Sequence, residues 1–212
     1  QEFDLQITLG RGLMGAKGFA APQVEATYTR ALMLGRQLGH TTQLFPALMG
    51  LRTCYQVRGE LLKARELGEQ LLALAQEAKD PAMLVAAHRG VGTTQYSLGA
   101  LDAARSHLEQ ALAHYDPRQH ESPAVFSGAE PGVVGLAFMA LTLWLLGYPD
   151  QALARSREML ALAQTLSHPP ASATALVFAA ELHVQRREPQ AAAPLTTALL
   201  ALASRHGLPV MA

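Results

Sequence analysis

Three groups of residues have types and spacings that could do chemistry. Gly10, Gly12 and Gly15 satisfy the G-x-G-x-x-G pattern, with Lys17 close behind, an arrangement that can cradle a phosphate on backbone N–H groups. A dinucleotide fingerprint needs a preceding β-strand and a βαβ unit, whereas Phe3 to Leu9 leads into helical spacing. A P-loop needs Gly-Lys-Ser or Gly-Lys-Thr, and here Ala16 precedes Lys17 and Gly18 follows it. The expected role is a glycine-rich first helix packed closely on its neighbour. Among the eight histidines, His107 and His114 lie on one helix, with Asp116, His120 and Glu121 just beyond its end. Two helical turns hold the His107 and His114 rings roughly 10 Å apart, and no histidine pair stands at i and i+4, so no metal site is expected. His88 and His183 fall at repeat positions that usually pack. Ser97, Ser106 and Ser156 have no local base or oxyanion-hole glycines, and Cys54 has no histidine within a turn to make its thiolate. Glu66 and Glu69 share a solvated helix face with Lys63 and Arg65, where each pairing contributes only ~0.2–0.5 kcal/mol. No catalytic residue and no cofactor is expected.

The elements behind these residues follow from composition. The chain has 212 residues, 50% hydrophobic, 6% aromatic and 16% charged, and is rich in alanine and leucine with few β-branched residues. That predicts an all-α chain. Seventeen basic and seventeen acidic residues cancel, and no Lys/Arg run offers a footprint for a nucleic-acid backbone. No apolar run approaches the ~18–20 residues of a membrane span. A single cysteine, Cys54, leaves no internal disulfide and fits a reducing compartment or indifference to redox state; a cytoplasmic location is expected.

A repeated phrase organises the chain. Gly59-Glu60 precedes Ala64, Gly99-Ala100 precedes Ala104, Gly147-Tyr148 precedes Ala152, and Arg187-Glu188 precedes Ala192, at intervals of 40, 48 and 40 residues. A weaker copy at Gly18-Phe19 continues into Val24, Tyr28 and Ala31. Pro46, Pro81, Pro131 and Pro169 stand where the helix before an anchor starts, and Pro22, Pro149 and Pro189 where the helix after one starts. Proline is tolerated at the first helical turn because its missing N–H has no intrahelical partner there. Helices are therefore expected at about 4–17 and 21–39, 43–58 and 60–79, 81–98 and 100–115, 131–146 and 148–167, 170–186 and 188–206. No single pair can bury its apolar stripe alone; stacking does, so the expected fold is an all-α, right-handed α-solenoid of about five antiparallel helix pairs. One repeat domain over 1–212 is expected, with units at 4–40, 43–79, 81–115, 131–167 and 170–206. The start at Gln1 and the helix-like opening at Gly207 to Ala212 read as a piece of something larger.

Val91-Gly92, Gly99-Ala100, Ala104, Leu108 and Ala111 have the offsets of the tetratricopeptide repeat (TPR), which the chain resembles. The stretches from Gly18 to Tyr28, Ala64 to Leu72, His107 to Gln110, Tyr115 to Pro117 and Leu145 to Leu153 also resemble the C-terminal repeat region of large bacterial signalling proteins. Those proteins join a nucleotidyl cyclase or another N-terminal domain to an AAA-type or related ATPase. That resemblance implies an intracellular regulatory scaffold and transfers no catalytic residue, because the cyclase and ATPase motifs lie in domains absent here.

A stacked array of this kind lines its concave face with the first helix of each pair. The anchor offsets place Met49, Thr53, Gln56, Arg89, Thr93, Tyr96, Ala137, Leu141, Trp144, Val177, Glu181 and Val184 there. This mixed list suits a peptide or a helix better than a phosphate-rich ligand. Trp144 and Tyr96 are its aromatic anchors, although Trp144 could equally fill the core between two repeats, since a one-residue register change rotates a side chain by ~100°. The connection from Asp116 to Glu130 is either a lip, through Tyr115, Arg118, His120 and Phe126, or a spacer. The expected function is a non-catalytic module binding a protein or peptide segment or other domains of its parent chain. The alternative is a small-molecule sensor, and an all-helical enzyme ranks third. Self-association through Leu5, Ile7 and Leu9, or through Leu199, Leu202 and Val210, is the further possibility at the exposed ends.

Overall fold

The computed structural model describes residues 1–37, 44–119 and 130–207. Among them are ten α-helices and no strand. They are α1 (Glu2–Lys17), α2 (Pro22–Gln37), α3 (Phe45–Val57), α4 (Leu61–Ala78), α5 (Pro81–Ser97), α6 (Leu101–His114), α7 (Pro131–Leu145), α8 (Pro149–Leu166), α9 (Pro169–Gln185) and α10 (Pro189–His206). Each described boundary lies within two residues of the position the prolines and anchors predict.

The chain divides into two compact units, residues 1–128 and 129–212. In the first, consecutive helices from α1 to α6 pack on one another, and α3 also touches α1 and α5. In the second, α7, α8, α9 and α10 pack in the same sequence, and α7 touches α9. Each unit is thus a set of helical hairpins whose first helices form an inner row.

The anchors are helix stops with one repeated geometry. The N–H of Glu60, Ala100, Tyr148 and Glu188 each donates to the carbonyl five residues back, and that of Gly59, Gly99, Gly147 and Arg187 to the carbonyl three back. This is the Schellman arrangement, and it requires a left-handed residue at the turn. Gly59, Gly99 and Gly147 supply it with φ of 77, 78 and 85°, while Arg187 is forced to 61°. A side chain in that region costs about 1–2 kcal/mol, so Arg187→Gly is expected to raise stability by about 1 kcal/mol, measured by urea unfolding. The alanines that follow, Ala64, Ala104, Ala152 and Ala192, are all buried where the two helices of a hairpin touch.

α1 contains the glycine pattern, and a helix, rather than a strand and loop, carries it. Only Gly10 is a close contact: a Cβ there would lie 2.6 Å from Tyr28 Cζ, whereas Gly12 and Gly15 face open space.

Candidate functional site

The inner row of the first unit is polar where α3 meets α5. Arg52 is 2% exposed, inside a run of buried residues from Ala47 to Cys54. Its Nη1 donates to the Gly90 carbonyl at 3.0 Å and to the Thr93 and Thr94 hydroxyls at 3.4 and 3.2 Å; its Nη2 donates to the Thr53 hydroxyl at 3.4 Å. Gly90 makes room for the guanidinium, since a Cβ there would lie 3.1 Å from Arg52 Nε. The Thr94 hydroxyl donates to Gln56 Oε1 at 2.7 Å, and Gln56 Nε2 donates to Ser97 Oγ at 2.8 Å. Burial, with the positive charge of Arg89 adding to it, pulls the Arg52 pKa down to about 9. A buried charge held by neutral oxygens is costly.

Met49, Thr53, Arg89 and Thr93 are buried in the first unit, and Gln56 and Tyr96 are half-buried. Thr53, Gln56 and Thr93 spend their polar atoms in the layer between α3 and α5, so the structure differs here from the open face the offsets predicted. The reason is register: in a first helix the residues three and four apart that face the next first helix lie beside those that face outward, about one residue away in angle. Tyr115 is half-buried and Arg118 exposed, its N–H donating to Asp116 Oδ1 at 2.9 Å; His120 and Phe126 lie outside the described residues.

The inner row of the second unit is different. Ala137 and Leu141 are buried in α7, but on α9 Val177 and Val184 are 38% and 64% exposed, and Glu181 is exposed with them. Trp144, near the end of α7, is half-buried, and the Arg186 guanidinium lies over its ring, 5.5 Å from the centroid. Arg186 is held in place by Glu188, Nη2 to Oε1 at 2.7 Å and Nε to Oε2 at 3.0 Å, and His183 Nδ1 sits 2.8 Å from Oε2. The Arg186 hydrogen bond, followed by that of His183, lowers the Glu188 pKa to about 2. The carboxylate therefore stays charged and keeps the guanidinium on the indole face. Phe138 and Phe178 join α7 to α9, with ring centres 5.3 Å apart. Leu145 and Tyr148, also exposed, extend the apolar character around the α7–α8 turn.

Arg52 and Arg186 were not among the sequence candidates. A charge inside the run Ala47 to Cys54 was the available signal for Arg52; for Arg186, two residues before Glu188 at the anchor, only the position of Trp144 one repeat earlier hinted at a partner. At the exposed ends, Leu5 and Leu9 are 68% and 51% exposed, but Ile7 packs in the core; Leu199 and Leu202 are half-buried, and Val210 lies outside the described residues. Cys54 is fully buried, and burial pushes its thiol pKa up. Among the described residues no three His, Cys, Asp or Glu side chains gather to hold a metal ion, and no helix is long and apolar enough to cross a membrane.

Residues 45–116, spanning α3 to α6, match the tetratricopeptide repeat family. The fold extends this likeness to nearly the whole chain. TPR-like repeats from Podosopora anserina, assigned to a kinesin light chain, superpose with a TM-score of 0.62 at 17% identity, covering 97% of this chain and 98% of theirs. A Rap protein complexed with Competence and Sporulation Factor superposes with a TM-score of 0.67 at 14% identity, covering 97% of this chain and 65% of that one. The chain therefore has an all-α, TPR-like repeat fold. An uncharacterized protein of Rhizobium meliloti (strain 1021) is 24% identical over 172 residues, which are 79% of this chain and 16% of that protein. The chain thus spans about a sixth of the length of this relative.

Proposed function

We propose that the chain is a non-catalytic scaffold that receives a protein segment on the open face of α9, with Trp144 as its anchor. The observation that carries this reading is the exposure of Val177 and Val184 beside Glu181, next to a half-buried tryptophan whose face is held by Arg186. Apolar side chains two turns apart, with a fixed aromatic at the edge, suit an extended or helical segment carrying one or two large apolar residues and a basic group for Glu181. A Rap protein of this fold is complexed with Competence and Sporulation Factor, which supports a binding role. The relative's greater length and the resemblance to cyclase and ATPase signalling proteins support a cytoplasmic partner within the parent chain, with an attached ATPase or cyclase as the regulated activity.

The test is selection of a random peptide library on the protein, followed by affinity measurement on two variants. Trp144→Ala and Val184→Asp are each expected to weaken the selected peptides at least about tenfold, which is about 1.4 kcal/mol, with helicity by circular dichroism unchanged. Selected peptides that bind both variants as tightly as the parent would count against the α9 face.

A second reading, a small-molecule sensor, is favoured by one feature. The first unit contains a cavity of about 240 Å³ lined by Leu32, Leu44, Leu48 and Leu74 together with Arg36 and Glu77. It lies between α2, α3 and α4 and takes in none of the inner-row residues named above. A thermal shift with metabolites that Trp144→Ala leaves intact would favour this reading.

A further inference from the structure

His88 on α5 and His107 on α6 meet in the seam of one hairpin. Their Nδ1 atoms are 3.0 Å apart, and the ring centres 5.3 Å apart with the planes inclined by 35°. His88 is 5% exposed and His107 half-buried. The seam around them is tight: Ala104 and Leu108 are fully buried, and a Cβ on Gly92 would lie 2.7 Å from Leu108 Cγ.

Two Nδ1 atoms at this distance fix the tautomers. One ring donates its Nδ1–H, and the other must accept with a bare Nδ1 and carry its own proton on Nε2. A first added proton goes to the free Nε2 of the donor and leaves the hydrogen bond intact. A second has only the acceptor's Nδ1 to occupy. The hydrogen bond is then replaced by two N–H groups pointing at each other, on two imidazolium rings in van der Waals contact.

We propose that this pair is an acid-operated latch: it holds α5 against α6 while it carries at most one added proton, and the second proton releases the hairpin. Among the described residues no carboxylate acts on either ring. On α6, His114 adds its own positive charge to the field at His88, while Arg105 lies 2.8 Å from Glu109 and is directed at it. On α4, Arg65 faces Glu69. On α3, Arg52 carries a positive charge on which Arg89 of α5 acts. Among the described residues, the groups that act on His88 are His107 and His114, and no carboxylate is among them. Burial lowers the pKa of both rings, and at His88 the two histidines lower it further. With both folded values below the ordinary 6.5, the unfolded chain takes up protons first. The stabilisation is then complete above about pH 6.5 and is lost as pH falls from there through the folded values.

The experiment follows the imidazole C–H resonances of the full chain by NMR during acid titration, with amide hydrogen exchange read at about pH 7.5 and about pH 5.5. The expected result is a pair that titrates in two coupled steps below the ordinary histidine value. As the second step proceeds, α5 and α6 should lose exchange protection severalfold more than α9 and α10. His107→Gln keeps a hydrogen-bonding group but removes one titrating ring, and is expected to flatten the fall of Tm between the two pH values. Titration of both rings at the ordinary value, with protection unchanged in α5 and α6, would overturn the proposal, and so would a His107→Gln variant that loses as much Tm in acid as the parent. The titration of the parent chain needs no variant, so a poorly folded His107→Gln leaves the proposal testable.

Discussion

Tyr28→Ala is expected to lower the unfolding free energy by about 3–5 kcal/mol, the range for truncating a large buried aromatic. Tyr28 is 2% exposed, and its ring occupies a slot between the backbones of α1 and α3. Gly10 walls one side and Gly50 the other: a Cβ at Gly10 would lie 2.6 Å from Tyr28 Cζ, and one at Gly50 2.5 Å from Cζ and Cε2. Backbone cannot step aside as a flexible side chain can, so Gly50→Ala is expected to cost about 1–3 kcal/mol or more by overpacking. The hydroxyl reaches Met14 Sδ at 3.8 Å, a weak acceptor, so most of the loss comes from packing. The decisive measurement is a double-mutant cycle in urea unfolding. If Tyr28 is the reason that position 50 is a glycine, Gly50→Ala becomes much cheaper in the Tyr28→Ala background, with a coupling energy of about 0.5–3 kcal/mol. Strict additivity would show that something else excludes a side chain at position 50.

The second large effect concerns Arg52 and has the opposite sign from intuition. Arg52→Met is expected to leave the chain as stable as the parent or to stabilise it by about 1–4 kcal/mol, because a buried charge is exchanged for a side chain of similar length that has no desolvation cost. None of the hydroxyls loses a place for its proton. Thr53 still donates to the Met49 carbonyl, Thr93 to that of Gly90, and Thr94 to either Gln56 Oε1 or the Gly90 carbonyl. The reverse change, Thr93→Val together with Thr94→Val, strips two acceptors from a guanidinium that remains buried, and each lost hydrogen bond to a charged group costs about 1.5–3 kcal/mol. The two variants thus separate the charge from its setting in one set of urea titrations. A loss of more than about 2 kcal/mol for Arg52→Met would show that the charge itself contributes net stability, against the general behaviour of buried ions. A stabilised Arg52→Met would raise the question of why the charge is kept, and the alignment of α3 with α5 is the natural place to look, through backbone exchange in those helices.

The helices were legible in the sequence because their punctuation is local. A proline in the first turn and a Gly-x step at the end act on the backbone of the residues that carry them, and the hydrogen bonds that close each hairpin run only three and five residues back. The small residues at the hairpin contacts were legible for the same reason, since Ala64, Ala104, Ala152 and Ala192 recur at a fixed offset from those turns. Even the exception was visible: Arg187 stands where three glycines stand elsewhere, and it takes the left-handed conformation the turn demands.

Side-chain direction around each first helix was not legible to the same degree. The anchor offsets place Gln56 and Thr93 on an open face, but the two bond across α3 and α5, whereas Val177 and Val184, from the same offsets, are exposed. The offsets are the same in both units, but which side of a first helix is covered depends on the neighbour that packs there, and no spacing within one helix encodes that. His88 and His107 make the point again: nineteen residues apart in sequence, one at a packing position and the other weighed only as a partner for His114, they share one proton position only because α5 and α6 bring their Nδ1 atoms to 3.0 Å. By itself the sequence determined an all-α chain of paired helices and where each begins and ends. Only the tertiary structure decided that Tyr28 is gripped by two backbones, that Arg52 is buried among hydroxyls, that Arg186 covers Trp144, and that two histidines meet, because each is a contact between helices set by how backbones approach rather than by the order of residues along either one.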